Sequence, residues 1–252
     1  MALSEIALRT RSVEDRAEIL YRDLDLARLA VIVCDMWDAH HCVSAARRVD
    51  EMAPHMDKVL GELRTHGALL VHAPSDCMDF YRNTPARTNA TSAPHVRAPA
   101  PIDWNDWQRD EIEALPATLT DPGPCSCGSG RPCDEQFRAW TRQTPAIDIR
   151  PEDVVSDHGQ EVFNVLQQHA IDDVLVMGVH TNACVLGRPF GIRQLVYLGM
   201  RPILCRDLTD TFHRDNHGHA WGTDTVVRHV ERRWCPSLTS DQLAGGTAFR
   251  FR

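Results

Sequence analysis

Residues 174–188 read Val-Leu-Val-Met-Gly-Val-His-Thr-Asn-Ala-Cys-Val-Leu-Gly-Arg, and this stretch decides the fold that we predict. Its apolar first part, residues 174–179, is typical of a strand that is buried on both faces. A polar turn follows, and Cys184 begins a second apolar segment that is compatible with a helix. The thiol should therefore lie at the carboxyl edge of a parallel sheet, where open α/β folds bind ligands and where a helix start favours a thiolate. The alternative is an inert buried cysteine, because free cysteine packs well as a small hydrophobe.

A second buried strand is predicted for residues 29–34, and it ends at Asp35. An acid in that position is costly unless it is hydrogen-bonded or used in chemistry, so Asp35 is the second candidate site residue. Residues 47–66 carry an apolar three–four repeat and predict a crossover helix, and residues 67–72 predict the next strand. This βαβ pattern indicates an α/β fold with a mainly parallel central sheet.

Length, charge and cysteine usage exclude several classes of protein. The chain of 252 residues has a net charge of −8 and no basic block, which argues against partners such as nucleic acid or an anionic membrane. No apolar run approaches the ~20 residues of a membrane span, and the N-terminus does not have the pattern of a signal peptide. Nine scattered cysteines fit a reduced, cytoplasmic compartment. We therefore expect a small-molecule substrate as the partner.

The chain divides into an N-terminal arm and one domain. Residues 1–27 predict a helical arm, and residues 28–252 predict a single domain with an irregular lid or insertion at about 77–143. In the second half of the chain, residues 145–149 predict a short strand, residues 207–211 a polar turn at the same sheet edge as Asp35, and residues 237–251 a final edge strand.

Two clusters of metal-binding residue types are present. Asp38, His40, His41 and Cys42 lie within five positions, but their spacing matches no common ligand motif, and a polar pocket wall with Trp37 as a stacking surface is the favoured interpretation. Cys125, Cys127 and Cys133 lie within nine residues and could bind zinc with a fourth ligand from elsewhere, or could be incidental thiols of a loop. We expect no required cofactor, with zinc as the alternative.

Two motifs resemble those of the isochorismatase-like cysteine hydrolases, the superfamily that includes nicotinamidases, N-carbamoylsarcosine amidases and ureidoacrylate amidohydrolases. Residues 31–38, Val-Ile-Val-Cys-Asp-Met-Trp-Asp, are similar to the family's strand, acid and following turn. Residues 176–185, Val-Met-Gly-Val-His-Thr-Asn-Ala-Cys-Val, are similar to its Gly-Val-Ala-Thr-Asp-x-Cys-Val signature. The resemblance spans roughly residues 29–230.

The resemblance implies a three-layer α/β/α fold, a dimer or tetramer, and hydrolysis of a small amide, carbamoyl or imide C–N bond through a thioester-type intermediate. Cys184 would be the nucleophile and Asp35 its base. The family's cis peptide aligns with the bond before His180, and the backbone N–H groups of His180 and Cys184 would bind the oxyanion.

One departure from the family concerns its catalytic lysine. Asp157 stands in the lysine's place, and the chain's single lysine, Lys58, lies on the crossover helix. An anion near Cys184 would raise the pKa of the thiol. We expect His158, an arginine from residues 77–143 or a bound metal to restore the positive charge; otherwise the chain is a catalytically silent small-molecule-binding protein or a metal-dependent hydrolase.

The remaining candidates concern substrate recognition. Polar and aromatic side chains near the predicted sheet edge suggest an aromatic-walled polar pocket. The predicted substrate-binding residues are Trp37, His40, His72, Asp76 and Asn182.

Overall fold

The computed structural model describes residues 2–104, 115–121, 123, 125–127, 133, 140–213 and 219–252. Its strands are β1 (Ala2–Arg11), β2 (Ala17–Asp25), β3 (Leu29–Cys34), β4 (Leu69–Ala73), β5 (Val154–Val155), β6 (Asp173–Val179), β7 (Arg201–Asp210) and β8 (Ser237–Leu238). Its α-helices are α1 (Val43–Thr65), α2 (Met78–Tyr81), α3 (Pro85–Thr91), α4 (Ala117–Thr120), α5 (Gly159–Gln168), α6 (Cys184–Gly187), α7 (Ile192–Tyr197), α8 (His219–Arg233) and α9 (Asp241–Ala244).

The strands form one sheet in the order β2-β1-β8-β7-β6-β3-β4-β5. The pairs from β8 to β5 are parallel, and the hairpin β1–β2 joins antiparallel at the other end. Every residue of β3 and β6 is buried, because helices cover both faces of these central strands. Their uninterrupted apolar runs are the sequence signal of that position.

Two hydrophobic cores lie on opposite faces of the sheet. On one face α1 packs through Met52, Met56 and Leu60 against Val31 and Leu175. On the other face the apolar side chains of α5, α6, α7 and α8 pack against alternate residues of the same strands. The three-layer α/β/α architecture is therefore confirmed.

The N-terminal residues form a β-hairpin, so the prediction of a helical arm is wrong. β1 and β2 pair antiparallel from Ala2–Asp25 to Arg11–Ala17, and residues 12–16 make the turn. Ile6 and Leu8 are buried while their neighbours are more exposed, which is the period of two that a half-buried strand requires. Arg9 and Arg11 of β1 form ion pairs with the buried carboxylate of Glu231 on α8.

Three further predictions for the second half of the chain are wrong. Residues 145–149 form a turn and not a strand, because Pro145 has no N–H and the N–H of Ile147 bonds to the carbonyl of Thr144. β8 lies between β7 and β1 and so is not an edge strand. Residues 207–210 belong to β7, where Asp207 accepts hydrogen bonds from the backbone of Ser240 and Phe249 and so holds the C-terminal tail.

Among the described helices, none combines the length with the apolar character that crossing a lipid bilayer requires.

Candidate active site

Asp35 and Cys184 belong to neighbouring strands at the same sheet edge. β3 and β6 are paired in parallel register from Leu29–Asp173 to Cys34–Gly178, so the residues after both strands emerge together. Gly178 makes the close approach possible: its φ is 111°, and a Cβ there would lie 2.1 Å from the carbonyl oxygen of Cys34. A side chain at residue 178 would push β3 and β6 apart at the sheet edge where Asp35 and Cys184 lie.

The Asp35 carboxylate is fully buried and bonded on both oxygens. Oδ1 accepts a hydrogen bond from the backbone N–H of Ser75 at 2.7 Å, and Oδ2 lies 3.3 Å from Nε of Arg188. Its backbone has a positive φ of 50°, which is uncommon for a residue other than glycine. Burial raises the pKa of Asp35, whereas the Arg188 charge and a hydrogen bond from the Cys184 thiol oppose the rise.

Cys184 begins α6 and is 5% exposed. Burial and the Asp35 charge raise the pKa of the Cys184 thiol, while Arg188 and a hydrogen bond from the backbone of His180 act in the opposite direction. The expectation that a helix start would favour the thiolate is therefore wrong for the resting site, because desolvation outweighs the first turn of a helix of only four residues. The peptide bond between Val179 and His180 is cis, as the resemblance implies.

Arg188 places a guanidinium beside the Asp35 carboxylate. It directly follows α6, and its guanidinium lies 3.3 Å from Asp35 and 3.6 Å from Asp76. With 18% of its side chain exposed, its charge is only partly screened. Arg188 was not among the predicted site residues, although its position four residues after Cys184, one helical turn along the chain, was a usable signal.

Asp157 and His158, the residues at and after the lysine's place, contact the loop after β4 and the segment before α5. Asp157 accepts a hydrogen bond from the backbone N–H of Asp76 at 2.9 Å and thereby holds the loop after β4. His158 is exposed, and its backbone N–H bonds to the Ser156 hydroxyl immediately before α5. Asp76 contributes its carboxylate to the Arg188 ion pair, so it shapes the charge balance around the site.

Aromatic rings form a wall beside this charged group. Trp37 stacks on Trp140 at 4.3 Å, and the His40 ring lies 5.3 Å from that of His180 and 5.6 Å from that of Phe212. Burial lowers the pKa of His40 to about 3 and that of His180 to about 4, so both imidazoles are neutral at pH 7. Both ring nitrogens of His180 are buried without a hydrogen-bond partner among the described residues. The wall therefore offers stacking surfaces and neutral polar edges.

Two predicted substrate-binding residues are bonded to the protein itself. The ring of His72 is fully buried, with Nδ1 3.1 Å from the Gln143 amide oxygen and Nε2 3.3 Å from the Asp153 carboxylate. The Asn182 amide bonds both to the backbone of Phe212 and to the carbonyl of Leu119. These contacts hold the structure around the site together.

The candidate metal ligands Asp38, His40 and His41 do not converge in the part of the chain that the structure describes. The Asp38 carboxylate instead accepts hydrogen bonds from the backbone N–H groups of Thr141 and Arg142. His40 accepts one at Nδ1 from the N–H of Cys42 at 3.0 Å. Within the described residues, the four thiols of Cys42, Cys125, Cys127 and Cys133 are the group that could hold a metal ion.

Several solved structures of other proteins share the fold that carries this site. No family model and no curated protein sequence matches the chain. Among solved structures, a cysteine hydrolase from Pseudomonas syringae pv. phaseolicola 1448A has a TM-score of 0.52 and 16% identity over 88% of this chain and 92% of that one. An isochorismatase family protein from Burkholderia thailandensis has a TM-score of 0.51 and 12% identity over 86% of this chain and 94% of that one. An isochorismatase from Pseudomonas putida KT2440 has a TM-score of 0.51 and 14% identity over 87% of this chain and 92% of that one. This chain therefore has the isochorismatase-like α/β/α fold.

Proposed function

We propose that the protein is a cysteine-dependent hydrolase of a small amide, carbamoyl or imide C–N bond. One observation carries the proposal: the buried Asp35 carboxylate forms an ion pair with the Arg188 guanidinium at the sheet edge where Cys184 begins α6, and the carboxylate and the thiol are close enough to shift each other's pKa. A nucleophile, a base within hydrogen-bond reach and a fixed cation are the components that thiol-based acyl transfer needs. The cysteine hydrolase and isochorismatase neighbours of the same fold are consistent with this chemistry.

The proposed reaction proceeds through a covalent intermediate. Sγ of Cys184 attacks the substrate carbonyl carbon while its proton passes to Asp35. The C–N bond then breaks, and Asp35 returns the proton to the leaving nitrogen, which leaves a thioester. Water attacks the thioester carbon, gives a proton to Asp35 and displaces the thiolate, which recovers that proton and restores the thiol. The backbone N–H groups of His180 and Cys184 are the proposed donors to the oxyanion.

Arg188 makes the proton transfer from Cys184 to Asp35 feasible in a buried site. Burial alone disfavours both a thiolate and a carboxylate, and it raises the pKa of both groups. The guanidinium opposes this rise because it attracts the negative charge wherever that charge resides. Arginine suits this role because its side chain stays charged throughout the reaction. For the same reason it does not take part in the proton transfer itself.

The wall of Trp37, Trp140 and His40 favours a small, flat substrate. Stacked rings bind planar groups, and the neutral imidazole of His40, whose Nδ1 already accepts the N–H of Cys42, carries its proton at Nε2. The Arg188 guanidinium is paired with the carboxylates of Asp35 and Asp76, so the charges of this group do not select against a cationic substrate.

The raised pKa of Cys184 favours a second candidate, a binding protein that never turns its ligand over. A panel of small amides, carbamoyl compounds and imides separates the two functions, with product and acyl-enzyme both followed by mass spectrometry. A hydrolase should lose turnover in Cys184→Ala and in Asp35→Asn, while Cys235→Ala, the matched removal of another buried thiol, should keep it. Turnover that survives Cys184→Ala would refute the proposed mechanism, and binding without product would support the second candidate.

A further inference from the structure

Four cysteine side chains that play no part in the proposed reaction meet beside the aromatic wall. Cys42 stands directly before α1, and Cys125, Cys127 and Cys133 come from the insertion between β4 and β5. Their four sulfur atoms all lie within 4.8 Å of one another. Cys42 and Cys125 are buried, and the other two are half-buried.

Four of the six sulfur–sulfur distances are close to those of a tetrahedron around one metal ion, and the other two are at most 4.8 Å. Sγ of Cys42 lies 3.8 Å from that of Cys125 and 3.6 Å from that of Cys127. Sγ of Cys133 lies 3.4 Å from that of Cys125 and 3.5 Å from that of Cys127. Zinc bound to four thiolates at about 2.3 Å requires sulfur–sulfur distances of about 3.8 Å. Disulfides would instead join the sulfurs in two separate pairs at about 2.05 Å.

Donors that would stabilise thiolates surround the cluster. The N–H of Ser126 points to Sγ of Cys42 at 3.4 Å, and the N–H of Cys127 points to Sγ of Cys125 at 3.4 Å. The Ser126 hydroxyl lies 3.2 Å from Sγ of Cys42, and it also accepts a hydrogen bond from the Arg48 guanidinium at 3.1 Å. Such an outer layer of donors orients metal ligands and offsets the excess negative charge of four thiolates around a divalent ion.

We propose that Cys42, Cys125, Cys127 and Cys133 bind one zinc ion in a structural tetrathiolate site. Four protein ligands leave no open position for a water or a substrate, so the ion serves structure and not chemistry. It joins the insertion to the start of α1 across more than 80 residues of chain, at a point where few apolar side chains are available to do so. The ion takes no part in the chemistry of Cys184.

The proposed ion also fixes the aromatic wall. Cys42 follows His40 and His41 directly, and its N–H donates to Nδ1 of His40 at 3.0 Å. Phe212, which packs with Cys42 and Cys125, contacts both imidazole rings. Loss of the ion should therefore free the insertion and loosen the His40 face of the pocket.

The test measures metal content directly. Full-length protein made without a histidine tag, in zinc-supplemented medium and purified under reducing conditions, should contain about one zinc ion per chain by elemental mass spectrometry. Cys127→Ser and Cys42→Ser should contain less than about a tenth of that amount, because a tetrahedral site with three thiolates binds far more weakly. Cys235→Ser, another buried thiol, is the matched control and should keep its zinc.

A second measurement does not depend on whether the variants fold. Cobalt(II) loaded into wild-type protein should give the intense visible absorption of a tetrahedral thiolate site, and zinc should displace it. Alkylation should spare all four thiols in the zinc-loaded protein and modify them after chelation. Zinc-free wild-type protein, zinc retained in Cys127→Ser, or disulfides among these cysteines under reducing conditions would each overturn the proposal.

Discussion

Replacement of Arg188 is the most direct test of whether its charge stabilises a thiolate at Cys184. Arg188→Gln removes the charge and keeps a side chain of similar polarity, whereas Arg188→Lys keeps the charge. We expect Arg188→Gln to raise the pKa of Cys184 further, because the guanidinium is a group that opposes the effects of burial and of Asp35. The expected order of thiol reactivity is wild type, then Arg188→Lys, then Arg188→Gln.

The magnitude follows from the ion-pair distance. Two unit charges at the 3.3 Å between Arg188 Nε and Asp35 Oδ2 interact by about 5 kcal/mol at an effective dielectric constant of about 20. Solvent screens the charge of Arg188, since 18% of its side chain is exposed, and the ion pair joins Arg188 to Asp35 and only indirectly to the sulfur. The loss of this charge should therefore destabilise the Cys184 thiolate by less, about 1–3 kcal/mol. That corresponds to a pKa increase of about 1–2 units and to labelling that is about 10–100 times slower at neutral pH.

The assay is the rate of iodoacetamide labelling of the Cys184 peptide against pH, followed by mass spectrometry. Iodoacetamide is uncharged, so the loss of an arginine does not change its attraction to the site. Arg82→Gln, which removes a guanidinium with 70% of its side chain exposed, is the matched control and should label like wild type. If folded Arg188→Gln labels within about twofold of wild type, Arg188 does not stabilise the thiolate and the reasoning is refuted.

Two further predictions concern the frame of the site. Gly178→Ala should lower the free energy of unfolding, measured in urea, by several kcal/mol more than Gly199→Ala. Both glycines have a positive φ, but only a Cβ at residue 178 would collide with a backbone atom. Equal losses in the two variants would show that β3 and β6 can move apart at this point without loss of stability. Burial lowers the pKa of His40 from 6.5 to about 3, so the folded protein holds this imidazole neutral while the unfolded chain takes up a proton. The protein is therefore fully stabilised above pH 6.5, and it loses stability as the pH falls toward 3. Between about pH 6 and 4, His40→Gln should therefore reduce the pH dependence of unfolding by about 1.4 kcal/mol per pH unit, and an unchanged slope would show that His40 is charged in the folded protein.

The central fold could be predicted because its signal is local. β3, β4, β6 and the first part of β7 are apolar runs buried on both faces, and each is recognisable within a short window of sequence. The positions of Asp35 and Cys184 follow from where the runs of β3 and β6 end. The hairpin was missed, and the strand near residue 237 was predicted at an edge, because both depend on distant pairing. Arg9 of β1 lies opposite Ser237, and no pattern near either residue indicates the other.

The positions of the proposed nucleophile and base were predictable, whereas the guanidinium beside them was not. Arg188 reaches Asp35 across 153 residues of sequence, and its role becomes visible only when both strand ends are in place. His72 and Asn182 illustrate the opposite error. Each is a polar side chain near the predicted sheet edge. In the structure, however, His72 bonds to Gln143 and Asn182 bonds to the backbone of Phe212, because buried polar groups need hydrogen-bond partners.

The placement of a guanidinium next to Asp35 has a consequence for the electrical state of the site. With the thiol neutral and the carboxylate ionised, Asp35, Cys184 and Arg188 together carry no net charge. After the proton moves to the carboxylate they still carry none, because the negative charge has only changed atoms beside a cation that never releases its own proton. Creation of a net charge inside a protein is expensive, whereas its relocation within a neutral group is not. In the proposed reaction, this neutral group would therefore form a thiolate away from bulk water without creating a net charge.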